Sequence, residues 1–257
     1  MLSDLVAGAL QDASERRAVR SLADVEAEAL ARPAALDALS ALAPRDSVHI
    51  IAEIKRSSPS RGLLAEIPDP TVLAQVYEAG GASAISVLTE GRRFSGSLED
   101  LEAVRASVTV PVLRKDFIAE PYQVFEARAA GADLVLLIAA ALEQPVLAEL
   151  FDLINQLGMT PLVETHSADE VERALDVGAD LVGVNARNLS TFELDRDLFG
   201  ELADRIPAGV IKIAESAVST PADVAHYRRA GADVVLVGEA LVTGDPASAL
   251  RDFLAVT

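Results

Sequence analysis

The sequence predicts an α/β chain folded as a (β/α)8 TIM barrel with an N-terminal helical extension, and three observations predict it. Eight short apolar runs alternate with segments of helical spacing along 257 residues. Four of them share one signature, a small-residue turn, a Ser or Asp, then Val, Ile and Leu. These are GGASAISVLTE from Gly80, AGADLVLLIAA from Ala130, VGADLVGVNAR from Val177 and AGADVVLVGEA from Ala230. The first run ends in Glu and Lys, where an open doubly wound sheet more often carries a Gly-rich fingerprint. Apolar runs separated by helices are parallel strands buried on both faces, and eight units in a chain of this length fit a closed barrel.

Residues 1 to 45 precede the first run and read as added helices over a single barrel domain spanning 1–257. Leu2, Leu5, Val6, Ala9 and Leu10 fall on one face at helical spacing, and Pro33 and Pro44 interrupt the segment. The first strand is VHIIAEI from Val48, followed by a Ser/Pro/Gly-rich break. The remaining runs are VPVLRKD from Val110, TPLVETH from Thr160 and VIKIAES from Val210, interleaved with the four repeats. Segments such as TVLAQVYEAG and ADEVERALDVG supply the helices and end in glycine, the usual C-terminal punctuation.

Composition narrows the function classes. The chain is 51% hydrophobic and 24% charged, a globular balance. Its net charge of -18 argues against nucleic-acid and anionic-membrane partners, and 4% aromatics leave little for base stacking. Without cysteine, disulfides and thiolate chemistry are excluded. Asp4 comes too early for a secretory leader, and the apolar run Leu134 to Leu142 is far short of a membrane span of about 20 residues. A cytoplasmic location is expected.

In a barrel, chemistry sits at the C-terminal ends of the strands. Seven of the eight runs end there in polar groups or glycine. Glu53 and Lys55, then Ser57, Ser58 and Ser60, follow the first run; Thr89 and Glu90 end the second; Arg114, Lys115 and Asp116 end the third. Glu164 and His166 end the fifth, Asn185 and Arg187 the sixth, Glu215 and Ser216 the seventh, Gly238 and Glu239 the eighth. The fourth run ends in Ile138 and alanines and reads as an apolar wall. Any one polar strand end is explained by solvent. Glu53, Lys55, Lys115, Glu164, Asn185 and Glu215 together predict a site, because charges facing inward over a barrel mouth need partners or a ligand.

Other candidates are weaker. His49 and His226 read as structural or exposed, and His166 lacks companions at metal-ligand spacing, so no metal site is expected. No serine has a placed histidine for nucleophilic catalysis. Arg92 and Arg93 are loop residues. Serines after the first run, with helix starts after the seventh and eighth, favour a phosphorylated small-molecule substrate.

At these residues the sequence resembles the indole-3-glycerol phosphate synthase family of tryptophan biosynthesis. The matching stretches are IAEIKRSSPSRG, ISVLTEGRRFSGS, PVLRKDFIAEPYQVFEARAAGADLVLLI, LVETH, GVNARNL, IAES and VLVGEAL, in family order over residues 48 to 242. The resemblance implies a carboxy-lyase that closes the ring of a carboxyphenylamino-deoxyribulose phosphate to indole-3-glycerol phosphate, losing CO2 and water. It implies Lys115 as the general acid at the carbonyl oxygen, Glu164 as the catalytic carboxylate and Lys55 as a second lysine near the departing hydroxyl and the carboxylate or phosphate. Glu53 and Asn185 would orient Lys115 and the ribulose hydroxyls, and Glu215 and Ser216 form a further polar pair. Arg187 would meet the substrate carboxylate, with Phe94, Phe117 and Leu189 around the anthranilate ring. Ser58, Ala217, Gly238 and Glu239 would hold the phosphate. The resemblance implies neither metal nor organic cofactor, and it suggests other tryptophan-pathway enzymes as partners.

One departure matters. The family usually has glycine after the Glu-Ser of the seventh strand, where this chain has Ala217. If φ there is positive, the methyl costs up to about 1 kcal/mol and is expected to weaken phosphate binding. Two rivals stand beside this reading. Phosphoribosylanthranilate isomerase and the histidine-pathway aminoaldose isomerases typically use aspartate or cysteine, against which the absent cysteine and the Glu53/Lys55 pair weigh. A catalytically retired barrel acting as a scaffold would explain the lapse at Ala217, but not the intact charged positions.

Overall fold

The computed structural model describes residues 1–188, 191 and 193–256. Eight parallel strands close a ring, namely β1 (His49–Ile54), β2 (Ala84–Leu88), β3 (Val112–Lys115), β4 (Leu134–Ile138), β5 (Thr160–Thr165), β6 (Leu181–Asn185), β7 (Ile211–Glu215) and β8 (Val234–Val237). Neighbours follow sequence order around the ring, and β8 pairs back onto β1 through His49 with Val234 and Ile51 with Leu236. The barrel is the fold the apolar runs predict.

Helices at Pro70–Ala79, Leu98–Ser107, Pro121–Ala130, Gln144–Gln156, Ala168–Asp176, Leu198–Ala203, Pro221–Arg229 and Pro246–Leu254 return the chain between strands. Their starts are written locally. Asp69, Ser97 and Ser167 each accept a hydrogen bond from an amide of the first turn. The Asp of the repeated Gly-Ala-Asp has a structural use. Buried Asp133 accepts from the amides of Val112 and Leu36, at 2.9 and 2.7 Å, and Asp233 accepts from Lys212 N at 3.0 Å. Each carboxylate pins the start of the preceding strand.

Period-two alternation builds two cores. Ile50, Ala52 and Ile54 face outward into the layer beneath the helices. Ile51 faces inward with Leu113, Leu136, Leu162, Ile213 and Leu236, and fills the barrel. Residues one step further along the inward faces therefore sit on this apolar floor at the mouth.

The extension covers both ends. The helix Leu2–Val19 lays Leu5 and Ala9 against Phe117 and Ile138 at the mouth. Ala38 and Leu42, fully buried, close the opposite end, while the helix Leu22–Ala31 packs Val25 and Ala29 on Tyr122 and Ala129. No helix among the described residues is long and apolar enough to cross a membrane.

Two details differ from the sequence reading. The Ser/Pro/Gly-rich break after β1 folds into a small antiparallel ladder pairing Ser57–Ser58 with Gly62–Leu63. Arg114 does not join the polar groups at the mouth. Alternation turns it outward and buries it completely against Asp116 (2.9 Å), Thr89 (3.2 Å) and the Gln123 carbonyl (2.7 Å). Glu126, 3.6 Å from Arg114, also binds Arg16 of the first helix, which ties the extension to β3.

Candidate active site

Glu53 and Lys55, two residues apart at the end of β1, do share a face, and Lys55 Nζ donates to Glu53 Oε1 at 2.6 Å. Lys115 is the last residue of β3, two strands round the ring from β1. Its ammonium donates to Glu164 Oε2 at 3.1 Å and lies 3.5 Å from Glu215 Oε2. Asn185 Nδ2 donates to the other Glu164 oxygen at 3.1 Å. Ser216 Oγ donates to Asn185 Oδ1 at 2.8 Å, and the Arg187 amide donates to the same oxygen at 3.0 Å. One connected network thus joins the ends of β3, β5, β6 and β7.

The space for these groups comes from glycines at inward positions. A Cβ on Gly183 would overlap Glu215 Oε1, and one on Gly238 would come within 2.5 Å of Glu53 Oε1 and 3.0 Å of Lys55 Nζ. The two positions stay empty so that two carboxylates fit.

Burial decides the electrostatics. Glu164 and Glu215 are each 1% exposed. Desolvation works against the Lys115 charge, but the carboxylates of Glu164, Glu215 and Glu53 outweigh it and hold the lysine pKa above its ordinary value. Burial also opposes ionisation of Glu164, yet the Lys115 ammonium, His166 and Asn185 hold it well below the usual carboxylate range. Glu215 goes the other way, pushed up to about 8 by burial and the Glu164 charge. The mouth therefore sets a lysine whose charged form is favoured beside one carboxyl drawn toward ionisation and one drawn toward its neutral form.

Linkage makes this measurable. With its folded pKa raised, Glu215 contributes stability that is whole below about 4.5 and lost as pH rises through about 8. The Glu215→Gln variant mimics the neutral acid. Its unliganded Tm is expected to fall less steeply than that of the parent between these pH values, by calorimetry. An unchanged slope would assign the decline to other groups.

His166 is a functional candidate that sequence reasoning undervalued. Its Nε2 lies 3.4 Å from Glu164 Oε1 and its Nδ1 3.2 Å from Glu170 Oε2. Desolvation opposes its charge, but these two carboxylates raise its pKa to about 10. The signal was present in LVETH, because Glu164 and His166 are i and i+2 on one strand face. Leu5, from the first helix, also lines the cavity and could not have been placed from sequence.

The remaining predicted residues spread around the same cavity. Phe94 and Phe117 line it with ring centroids 6.2 Å apart, and Leu136 and Ile138 give the apolar wall expected of β4. Arg187, Ser58, Ala217 and Gly238 also line it. Ser58 Oγ is buried with no hydrogen-bond partner among the described residues. The Glu239 side chain is paired with Arg61 Nη1 at 2.6 Å, which leaves only its backbone for an anion. Leu189 lies outside the described residues. His49 bridges Ser83 Oγ and the Ala43 carbonyl at 2.7 and 2.9 Å, a structural role as expected.

Comparison with known proteins places the chain in a family. A family model described as indole-3-glycerol phosphate synthase matches residues 2–253. The synthase of Leifsonia xyli subsp. xyli is 71% identical over 256 residues, covering 100% of this chain and 98% of the relative. Those of Beutenbergia cavernae and Mycolicibacterium gilvum are 58% and 59% identical, each covering 99% of the chain and 95% and 93% of the relative. Among solved structures, an N-acetylmannosamine-6-phosphate 2-epimerase from Clostridium perfringens superposes with a TM-score of 0.62 at 16% identity, over 83% of this chain and 93% of that one. That likeness concerns the barrel alone. With a family match along nearly its whole length and relatives this similar, the chain belongs to the indole-3-glycerol phosphate synthase family.

Proposed function

We propose that this chain performs the family's reaction with Lys115 as proton donor and Glu164 as the carboxylate that takes a proton. The reaction closes the ring of 1-(2-carboxyphenylamino)-1-deoxyribulose 5-phosphate to indole-3-glycerol phosphate with loss of CO2 and water. The observation that carries the assignment is the Lys115 ammonium held 3.1 Å from buried Glu164. As the aromatic carbon attacks, negative charge grows on the carbonyl oxygen, and a fixed ammonium both stabilises that charge and delivers a proton. Loss of CO2 from the attacked carbon restores the aromatic ring, and the Glu164 carboxylate then accepts the proton lost from the neighbouring carbon of the new ring as the hydroxyl departs as water.

The other groups divide by chemistry. Lys55, with Glu53 behind it, serves the departing hydroxyl and the anionic ends of the substrate. Glu215, Asn185 and Ser216 hold Lys115, Glu164 and the ribulose hydroxyls in register. Arg187 meets the substrate carboxylate, while Phe94, Phe117 and Leu136 pack the anthranilate ring. Ser58 and the backbone at Ala217, Gly238 and Glu239 take the phosphate, and the unpartnered Ser58 hydroxyl supports that placement. A cytoplasmic location and association with other enzymes of the pathway belong to the same reading.

Indole emission on mixing with the carboxyphenylamino substrate tests the activity, and no growth of emission would refute it. Ala217 gives a second test. Its φ of 56° lies in the left-handed region, so the methyl is strained in the unliganded fold. Ala217→Gly is expected to raise stability by about 1 kcal/mol, about 2 to 4 °C in Tm. Crowding of the phosphate by the methyl would appear separately, as a lower KM in the glycine variant. An unchanged KM would show that the site tolerates the methyl.

A further inference from the structure

The turn after β7 holds two consecutive non-glycine residues in the left-handed region, Ser216 at φ 70° and Ala217 at φ 56°. Such conformations persist only where the surroundings impose them. The Ser216 side chain is held by Asn185 at 2.8 Å, and its carbonyl accepts a hydrogen bond from the phenol of Tyr227 at 3.2 Å.

Tyr227 is well placed for this. It lies on the helix Pro221–Arg229, fully buried in the layer outside the barrel. Its ring meets Phe199 edge-on at 5.6 Å and sits 5.5 Å from His226. Burial pushes the phenol up to about 12, so it remains a donor across the working range.

A trans peptide unit is planar, with its carbonyl and its N–H pointing in opposite directions. Drawing the Ser216 carbonyl outward to Tyr227 therefore turns the Ala217 N–H inward. Ser216, Ala217, Val218 and Ser219 line the cavity on that side. The Ala217 N–H makes no hydrogen bond among the described residues.

We propose that Tyr227 is a positioning residue for substrate phosphate, its hydroxyl fixing the Ser216–Ala217 peptide so that the Ala217 N–H is presented to the anion. This rests on the phosphate placement given above. The hydroxyl touches no substrate and acts only through the backbone it holds.

The test is Tyr227→Phe, which keeps the ring packing and removes the hydroxyl. Losing one hydrogen bond of ordinary strength is expected to raise KM about three- to tenfold, with kcat within about twofold. The inhibition constant of inorganic phosphate, measured as a competitive inhibitor, should rise by the same factor. In the Ala217→Gly background the Tyr227→Phe penalty should shrink, because glycine adopts the turn without help. Equal penalties in both backgrounds, unchanged KM and phosphate inhibition, or a fall in kcat alone would each overturn the proposal. Ser58→Ala separates the two layers of the reading. If it weakens phosphate inhibition while Tyr227→Phe does not, the phosphate placement stands and the role of Tyr227 falls. If neither variant affects phosphate inhibition, the placement itself fails.

Discussion

Replacing Lys115 with alanine is expected to lower kcat about a thousandfold while leaving the barrel folded. General-acid catalysis is typically worth between about 10²- and 10⁴-fold. Here the same group also neutralises charge on the reacting oxygen, which places the expected loss well inside that range. Lys55 is a poor substitute, because its ammonium is tied at 2.6 Å to Glu53 at the end of β1, two strands from Lys115. Single-turnover indole emission, with the circular-dichroism spectrum as a folding control, measures the effect. Turnover within tenfold of the parent would remove Lys115 from the chemistry.

The same substitution has an electrostatic consequence. Lys115 is the ammonium that faces both Glu164 and Glu215. Without it, two buried carboxyls face each other, and the Glu164 pKa must rise toward or above its unfolded value. A raised carboxyl pKa in the folded state means stability lost as pH rises. The unliganded Lys115→Ala protein should therefore lose Tm with rising pH more steeply than the parent.

The second large effect is expected at Gly183. Its inward position on β6 is occupied by the Glu215 carboxylate, which an alanine Cβ would overlap; the same Cβ would stand 3.3 Å from Glu215 Cδ and 3.4 Å from Leu162 Cδ1. Glu215 is buried against the barrel floor, so it can leave only by breaking its approach to Lys115. Overpacking of this kind costs about 1 to 3 kcal/mol, and loss of the Lys115 setting should lower kcat about a hundredfold. Calorimetry and steady-state kinetics read the two effects. Glu215→Asp in the Gly183→Ala background shortens the acid by one methylene and should recover part of both. A Gly183→Ala protein with parental Tm and kcat would show that the site has slack that this geometry denies.

The legibility of the site in the sequence differs residue by residue. Glu53 and Lys55 were readable as one face, because strand periodicity is local and the two positions are i and i+2. Lys115 and Glu164 read as one site because each ends an apolar run, and apolar runs alternating with helices are strands of one barrel. Arg114 shows the limit of reading a polar cluster without its alternation. It neighbours Lys115 in sequence but faces away, into an ion-pair network under the helices. His166 lacks companions at metal-ligand spacing, and its partner in the fold is a carboxylate two residues earlier. The repeated Gly-Ala-Asp was recognisable as a strand signature, but the bond from Asp133 to the amide of Val112 was not.

The sequence alone determined the number and order of the strands, the polar residues at their C-terminal ends, the apolar wall of β4 and the family. Each of these rests on short-range periodicity or on motif identity, which a linear string carries. Only the tertiary structure decided that the Glu164 carboxyl is drawn below its ordinary range while that of Glu215 is pushed above it, that two glycines make room for carboxylates from neighbouring strands, and that Ala217 is left-handed. Those properties depend on desolvation and on distances of about 3 Å between side chains far apart in the chain, so they exist only once the ring is closed.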